Sequence, residues 1–259
     1  MKLVIVPARE GATWVKLGLR TFFRQPLAFT GLFLIFVAVI SLLSAIPWIG
    51  NILGLALMPA VTLGFFIGSR QAAQGRFPMP TVLLSAFRSG PQHARNMGIL
   101  GAMYAGAVLL ALVVSASADG GTFARMYLLG GDIDAATLQS PEFQQAALLA
   151  MGIYLPASMM FWHAPALVQW HAISPVKSVF FSLVACWRNI GAFTMYTTVW
   201  FGVFMAVAIL VALVGMVVGS EEAVNIALFP ALLVTAAAFF ASMLFSFEAC
   251  FDATEVILA

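Results

Sequence analysis

Charge is distributed along this chain so sparsely, and in such long gaps, that few folds remain open to it. Between Arg24 and Arg70 lie 45 residues without Asp, Glu, Lys or Arg. The next gaps are 23 residues between Arg95 and Asp119, 34 between Glu142 and Lys177, 32 between Arg188 and Glu221, and 25 between Glu222 and Glu248. About 20 mostly apolar residues, rising 1.5 Å each as a helix, match a hydrocarbon core of about 30 Å. Each gap is therefore long enough to cross a bilayer at least once. Overall, 63% of the 259 residues are apolar and 8% are charged, against roughly 45–50% and about 25% in a soluble domain. A net charge of +2 is too small for a nucleic-acid binder, and the apolar content excludes disorder.

The first gap is broken in its middle by Pro47-Trp48-Ile49-Gly50-Asn51 and so holds two spans joined by a tight turn. Every other gap holds one. The reading is six helices at about 26–46, 50–69, 97–117, 146–169, 190–218 and 224–248, forming a single integral membrane domain over 1–259. Lys and Arg concentrate in cytoplasmic loops. Of the twelve, only Arg125 falls on the opposite side, in a loop carrying Asp119, Asp132, Asp134 and Glu142. Both termini are thus expected in the cytoplasm. The apolar run near Met1 is too short for the core of a cleavable signal peptide, so the first helix acts as the insertion signal. Cys186 and Cys250 fall near the reducing cytoplasmic face, where no disulfide is expected.

A short amphipathic segment ending in Arg precedes each outward-going span. The first sets Val15, Leu19, Phe22 and Phe23 on one side and Lys16, Arg20 and Arg24 on the other. The second runs from Pro80 through Leu83, Leu84 and Phe87, is interrupted by Gly90-Pro91, and reaches Arg95-Asn96; the third starts at Ser174-Pro175 and ends at Arg188-Asn189. Interfacial helix, outward span and inward span then recur three times in the same orientation, a parallel repeat rather than the inverted halves of many transporters. Lys16, Arg20 and Lys177 are candidate contacts for anionic lipid headgroups. The plainer reading of these segments is surface connection.

Ionisable groups inside spans are costly and mark a partner or a pathway. His163, in Trp162-His163-Ala164-Pro165, is read as a neutral side chain hydrogen-bonded between helices; its only histidine companions, His93 and His171, do not make a metal set. Glu248, at the end of the last span, is expected to pair with Arg24, Arg95 or Arg188, which lie at the same level. Pro59, Pro156, Pro165 and Pro230 fall in the inward-going spans and kink them. Small residues at spacing four, Gly64/Gly68, Gly98/Ala102/Gly106 and Ala237/Ala241, allow close helix approach, for internal packing before dimerisation. Ser140-Pro141-Glu142 reads as a helix start. No phosphate loop, HExxH or GxSxG occurs. No enzyme, cofactor or metal is expected.

The segments Val6-Pro7-Ala8-Arg9, Trp14, Phe22-Phe23-Arg24-Gln25-Pro26-Leu27, Ile46-Pro47, Ala164-Pro165-Ala166-Leu167, Pro175 and Arg188-Asn189 resemble a family of six-helix bacterial inner-membrane proteins, mainly betaproteobacterial, with no assigned activity. The resemblance implies a bacterial inner membrane and brings no catalytic residues. The functional expectation is a non-enzymatic assembly, accessory or lipid-interacting protein, with the bilayer, a second copy or another membrane protein as partner. The alternative is a channel or transporter for a lipid or small solute, lined by Glu248, His163 and Gln169.

Overall fold

A computed structural model describes residues 2–46, 49–130, 133–219 and 221–252. Pro47 and Trp48 of the expected turn and Asp132 of the loop between the third and fourth spans lie outside them. The elements in order are β1 (Lys2–Leu3), α1 (Glu10–Arg24), α2 (Pro26–Ser44), α3 (Ile49–Ala73), a 3-10 turn (Pro80–Leu84) leading into α4 (Ser85–Arg88), α5 (Pro91–Asp119), α6 (Thr122–Leu129), α7 (Ala135–Gln139), α8 (Pro141–Trp162), α9 (Ala164–His171), α10 (Pro175–Arg188), α11 (Ile190–Val218), α12 (Glu221–Cys250) and β2 (Phe251–Asp252). The fold is all-α. Among the described residues six helical stretches are long and apolar enough to cross a membrane: Pro26–Ser44, Ile49–Ala73, Pro91–Asp119, Pro141–His171, Ile190–Val218 and Ile226–Cys250.

Prolines set many of the helix starts, because a first-turn proline lacks only an N–H that would have no helical partner. Gln25 precedes Pro26 and is driven out of the helical region, to φ −140° and ψ 54°. This ends α1 and lets α2 begin one residue later. Gly90, with φ +110°, turns the chain into Pro91, and Ser140 caps α8 by accepting from Phe143 N–H at 3.3 Å ahead of Pro141. Pro59, Pro156 and Pro230 lie inside continuous helices, whereas Pro165 lies in the first turn of a new one, α9.

Two compact units are present, one of residues up to 36, 62–83 and from 185 onward, the other of 37–61 and 84–184. In the first, α1 packs on α11 and α12. Its buried face is Gly11, Trp14, Val15, Gly18, Thr21 and Phe22. A β-carbon on Gly11 would collide with the Ala192 carbonyl oxygen, and one on Gly18 with Ser242, so glycine is what allows this approach. Trp14 meets the ring of Phe193 edge-on at 5.3 Å, and Ser242 Oγ lies 2.6 Å from Tyr196 Oη and accepts from Trp200 Nε1 at 3.1 Å. β1 and β2 form an antiparallel pair, Lys2 with Asp252 and Leu3 with Phe251. Asn189 holds the arm beside it: its Oδ1 accepts from Val6 N–H at 2.8 Å, and its Nδ2 donates to Val4 O and Ala185 O at 3.0 Å each.

In the second unit α5 and α8 lie side by side, and Tyr104 meets Phe161 edge-on at 5.2 Å. Gly101 sits against the Ala56 carbonyl. The stripe Gly98/Ala102/Gly106, expected to pack internally, is instead exposed, with open space beside Gly98 and Gly106 among the described residues. Gly64, by contrast, meets Leu83 closely, and Ala237 and Ala241 are fully buried. The three segments before α2, α5 and α11 differ: α1 and α10 are continuous helices of 15 and 14 residues, while the second is a 3-10 turn with a four-residue helix.

Candidate functional site

The fourth span is broken in its interior. Pro165 has no N–H to offer the preceding turn, and its ring crowds the carbonyl four residues back; α8 stops at Trp162 and α9 starts at Ala164, with His163 between them. In an unbroken helix the His163 N–H would bond to Met159 O. Here a hydroxyl stands in that rung: His163 N–H donates to Ser182 Oγ at 2.9 Å and Ser182 Oγ donates to Met159 O at 2.7 Å. This is the kind of repair that makes a proline break tolerable away from water. His163 is fully buried. Further along α9, Gln169 Nε2 donates to Ser89 Oγ, and its Oε1 is buried with no hydrogen-bond partner among the described residues. His163 is thus found at a helix break, where its main-chain N–H is held by Ser182, a partner the sequence did not flag.

The second feature is a cavity of about 330 Å³ lined by α5, α6 and α8. Leu112, Phe123, Ala150 and Met151 contribute apolar wall, and Tyr127 and Tyr154 contribute phenol groups. Tyr104 lies close to Tyr154 and Tyr127. Three of the four tyrosines in the chain are therefore gathered here. Burial, followed by the neighbouring Tyr154, raises the pKa of Tyr127 on α6 above the ordinary phenol value, so it remains a protonated donor. Local capping builds the site's roof. Asp119, at the end of α5, accepts from Gly121 N–H at 2.8 Å and Phe123 N–H at 2.6 Å and so starts α6; Asn51 Nδ2 donates to Leu128 O at its far end. Nothing in the sequence spacing joins Tyr104, Tyr127 and Tyr154. The one available signal was that tyrosine is scarce in the chain and that both Tyr104 and Tyr154 lie inside spans.

The third feature is a set of basic groups. Glu248 pairs with Arg70, whose Nε and Nη2 donate to Oε1 at 3.2 and 3.1 Å. The expectation that Arg24, Arg95 or Arg188 would fill this role is corrected. Arg24 Nη1 instead donates to Ala73 O at 3.0 Å, satisfying a carbonyl at the end of α3. Arg95 is exposed in the first turns of α5, and Arg188 is exposed in the last turn of α10. Arg70 closes the longest charge-free gap, at the end of the second span. Lys16 and Arg20 are exposed on α1 and Lys177 on α10.

The faces of α10 are the reverse of a soluble amphipathic helix. It buries small and polar side chains, Ser178, Ser182 and Ala185, and exposes Val176 at 68%, Phe180 at 60% and Trp187 at 69%, with Lys177 and Arg188 beside them. On α1, Phe23 is likewise exposed next to Arg20 and Arg24. Large apolar side chains turned outward with cations alongside suit the headgroup boundary, where the apolar part enters acyl chains and the cations meet phosphate.

No family model matches the chain, and no solved structure does. A probable inner membrane protein of Burkholderia thailandensis is 37% identical to it over 258 residues, which cover 98% of this chain and 96% of that protein.

Proposed function

We propose, from the premise that this chain belongs to the family of that Burkholderia thailandensis protein and is an integral, multi-pass inner-membrane protein, that it works without catalysis as a lipid-engaging accessory or assembly protein. Both termini and the Lys/Arg-bearing segments then face the cytoplasm, where the anionic leaflet attracts them. The observation that carries the reading is the outward-turned aromatic and basic face of α10, with Val176, Phe180, Trp187, Lys177 and Arg188 on one surface. The exposed cations of α1, Lys16 and Arg20, support it. Each such cation near an anionic surface contributes about 1 kcal/mol.

The test is native mass spectrometry of the full chain released from nanodiscs containing phosphatidylglycerol and phosphatidylethanolamine. Retention of phosphatidylglycerol above its share of the bilayer, falling on charge reversal at Lys16, Arg20 and Lys177, is the expected result. Retention in proportion to bilayer composition, unchanged by the reversals, overturns it. Co-release of a second protein species would identify the partner that an assembly role needs.

A second reading, conduction of a lipid or small solute, draws support from the break at His163 and the buried Gln169 Oε1 on the same broken span. Discontinuous helices with polar groups at membrane depth are a feature of transport proteins. Unchanged solute flux through vesicles carrying His163→Ala, Gln169→Leu or Glu248→Gln would remove these residues from any pathway.

A further inference from the structure

The cavity among α5, α6 and α8 is independent of the basic faces used above and lies at the end of the α5/α8 pair that carries the 120–140 connection. We infer that it is a binding site for one acyl chain of a phospholipid, with the ester carbonyl of that chain accepting a hydrogen bond from Tyr127 or Tyr154.

Four observations lead there. The wall is almost wholly aliphatic and aromatic, Leu112, Phe123, Ala150 and Met151 among it, so the occupant is an apolar body. The mouth opens sideways: Met151 lines the cavity yet is 55% exposed, and it shares its helix face with Leu148 and Leu155, which are exposed apolar positions three residues before and four after it. Exposed leucines on a membrane-crossing helix face acyl chains, so entry is from the bilayer and not from water. The polar groups are restricted to phenols at that mouth. Tyr127, on α6 outside the spanning stretches, is 50% exposed and Tyr154 38%, which leaves a phenol within reach of a carbonyl that enters with the chain. The lining holds no Lys, Arg or His. A fatty-acid carboxylate placed there would lose its hydration with no cation to replace it, whereas an ester carbonyl needs only one donor. Size agrees as well. A volume of about 330 Å³ is roughly twice the ~150 Å³ cavity that holds one benzene ring, enough for a length of chain near the carbonyl and too small for a complete lipid.

The experiment uses the full chain in nanodiscs, doped in one arm with a phosphatidylethanolamine bearing a diazirine in its acyl chain and in the other with a diazirine fatty acid. After illumination, labelled peptides are mapped by mass spectrometry. The phospholipid probe is expected to label the 123–127 and 147–154 peptides at least fivefold more densely than the lipid-facing 210–217 segment of α11. Ala150→Phe, which fills the cavity, is expected to return that density to the α11 level while leaving α11 labelling unchanged. If Ala150→Phe fails to yield monodisperse protein, Ala147→Leu reports on the same cavity wall. Replacing both phenols, Tyr127→Phe with Tyr154→Phe, is expected to lower labelling several-fold without filling space. Equal density at cavity and α11 peptides, labelling indifferent to both cavity-filling variants, or enrichment by the fatty acid alone would each overturn the assignment. Failure here leaves the phosphatidylglycerol preference of the basic faces untouched, since the two are read on different peptides and with different probes.

Discussion

Replacing Ser182 by Ala removes the hydroxyl that stands between His163 N–H and Met159 O, at 2.9 and 2.7 Å. Both atoms lie where water is scarce; His163 and Ser182 are fully buried. A buried donor left without its acceptor costs about 1–3 kcal/mol. The carbonyl keeps lone pairs that tolerate loss better, and the missing hydroxyl leaves only a small void. The expected loss is thus about 2 kcal/mol, roughly a 30-fold change in the unfolding equilibrium constant. Equilibrium unfolding of the protein in mixed micelles, with the unfolded state held by a bulky tag, gives this number. The decisive comparison is a double-mutant cycle with Pro165→Ala. If the proline is what opens the rung, its removal lets His163 N–H reach Met159 O directly, and Ser182→Ala then costs less than about 0.5 kcal/mol. A cost that is the same in both backgrounds, or below about 0.5 kcal/mol in the parent, refutes the reasoning.

Gly18→Val is expected to destabilise the protein by about 1–3 kcal/mol or more, because the new side chain meets Ser242 on α12; Gly106→Ala, facing open space, should change stability by no more than about 1 kcal/mol, and toward greater stability. Asn189→Ala removes the bonds to Val6, Val4 and Ala185, so hydrogen exchange of residues 4–8 should accelerate well before global unfolding. Glu248→Gln is expected to cost less than about 1 kcal/mol in the micelle assay, since its pair with Arg70 is 38% and 42% exposed and such pairs are screened; a loss above about 3 kcal/mol would mean the pair is shielded by more than this fold provides. The Thr137 hydroxyl, and then its N–H, hold the Asp134 carboxyl below the ordinary value of 3.8. A depressed folded-state pKa contributes stability above the unfolded value and loses it as pH falls through the folded one. The cap on α7 should therefore still hold at the ordinary value of 3.8 and fray only as pH falls further, read as chemical-shift changes at Thr137 that Asp134→Asn abolishes.

Much of this molecule is written locally, and for a local reason. A gap of 23 or 25 residues without charge must span a bilayer whatever its neighbours do, so all six crossings are legible at 26–44, 49–73, 91–119, 141–171, 190–218 and 226–250 to within a turn or two. Proline is equally self-contained. Gln25-Pro26, Gly90-Pro91 and Ser140-Pro141 mark helix starts because the ring constrains its own φ and its predecessor's. The family resemblance rests on one of these marks, Gln25-Pro26, and on other proline-bearing segments, and a relative 37% identical along almost the whole length bears it out.

Which groups meet across helices was decided only by tertiary structure. Glu248 had several arginines at its level by span counting; helix rotation selected Arg70, a choice that depends on angles no charge gap encodes. A greasy stripe on α1 and α10 looked alike in sequence, yet α1 turns its glycines and Trp14 inward while α10 turns Ser178 and Ser182 inward and Trp187 out. In a bilayer both solvents for a side chain, lipid and protein interior, are apolar, so hydrophobicity no longer tells inside from outside, and small residues that permit close approach decide it instead. Ser182 in the rung of a broken span, and Tyr104, Tyr127 and Tyr154 around one cavity, are 19 to 50 residues from their partners along the chain. Only the packing of α5, α6, α8 and α10 brings them within reach.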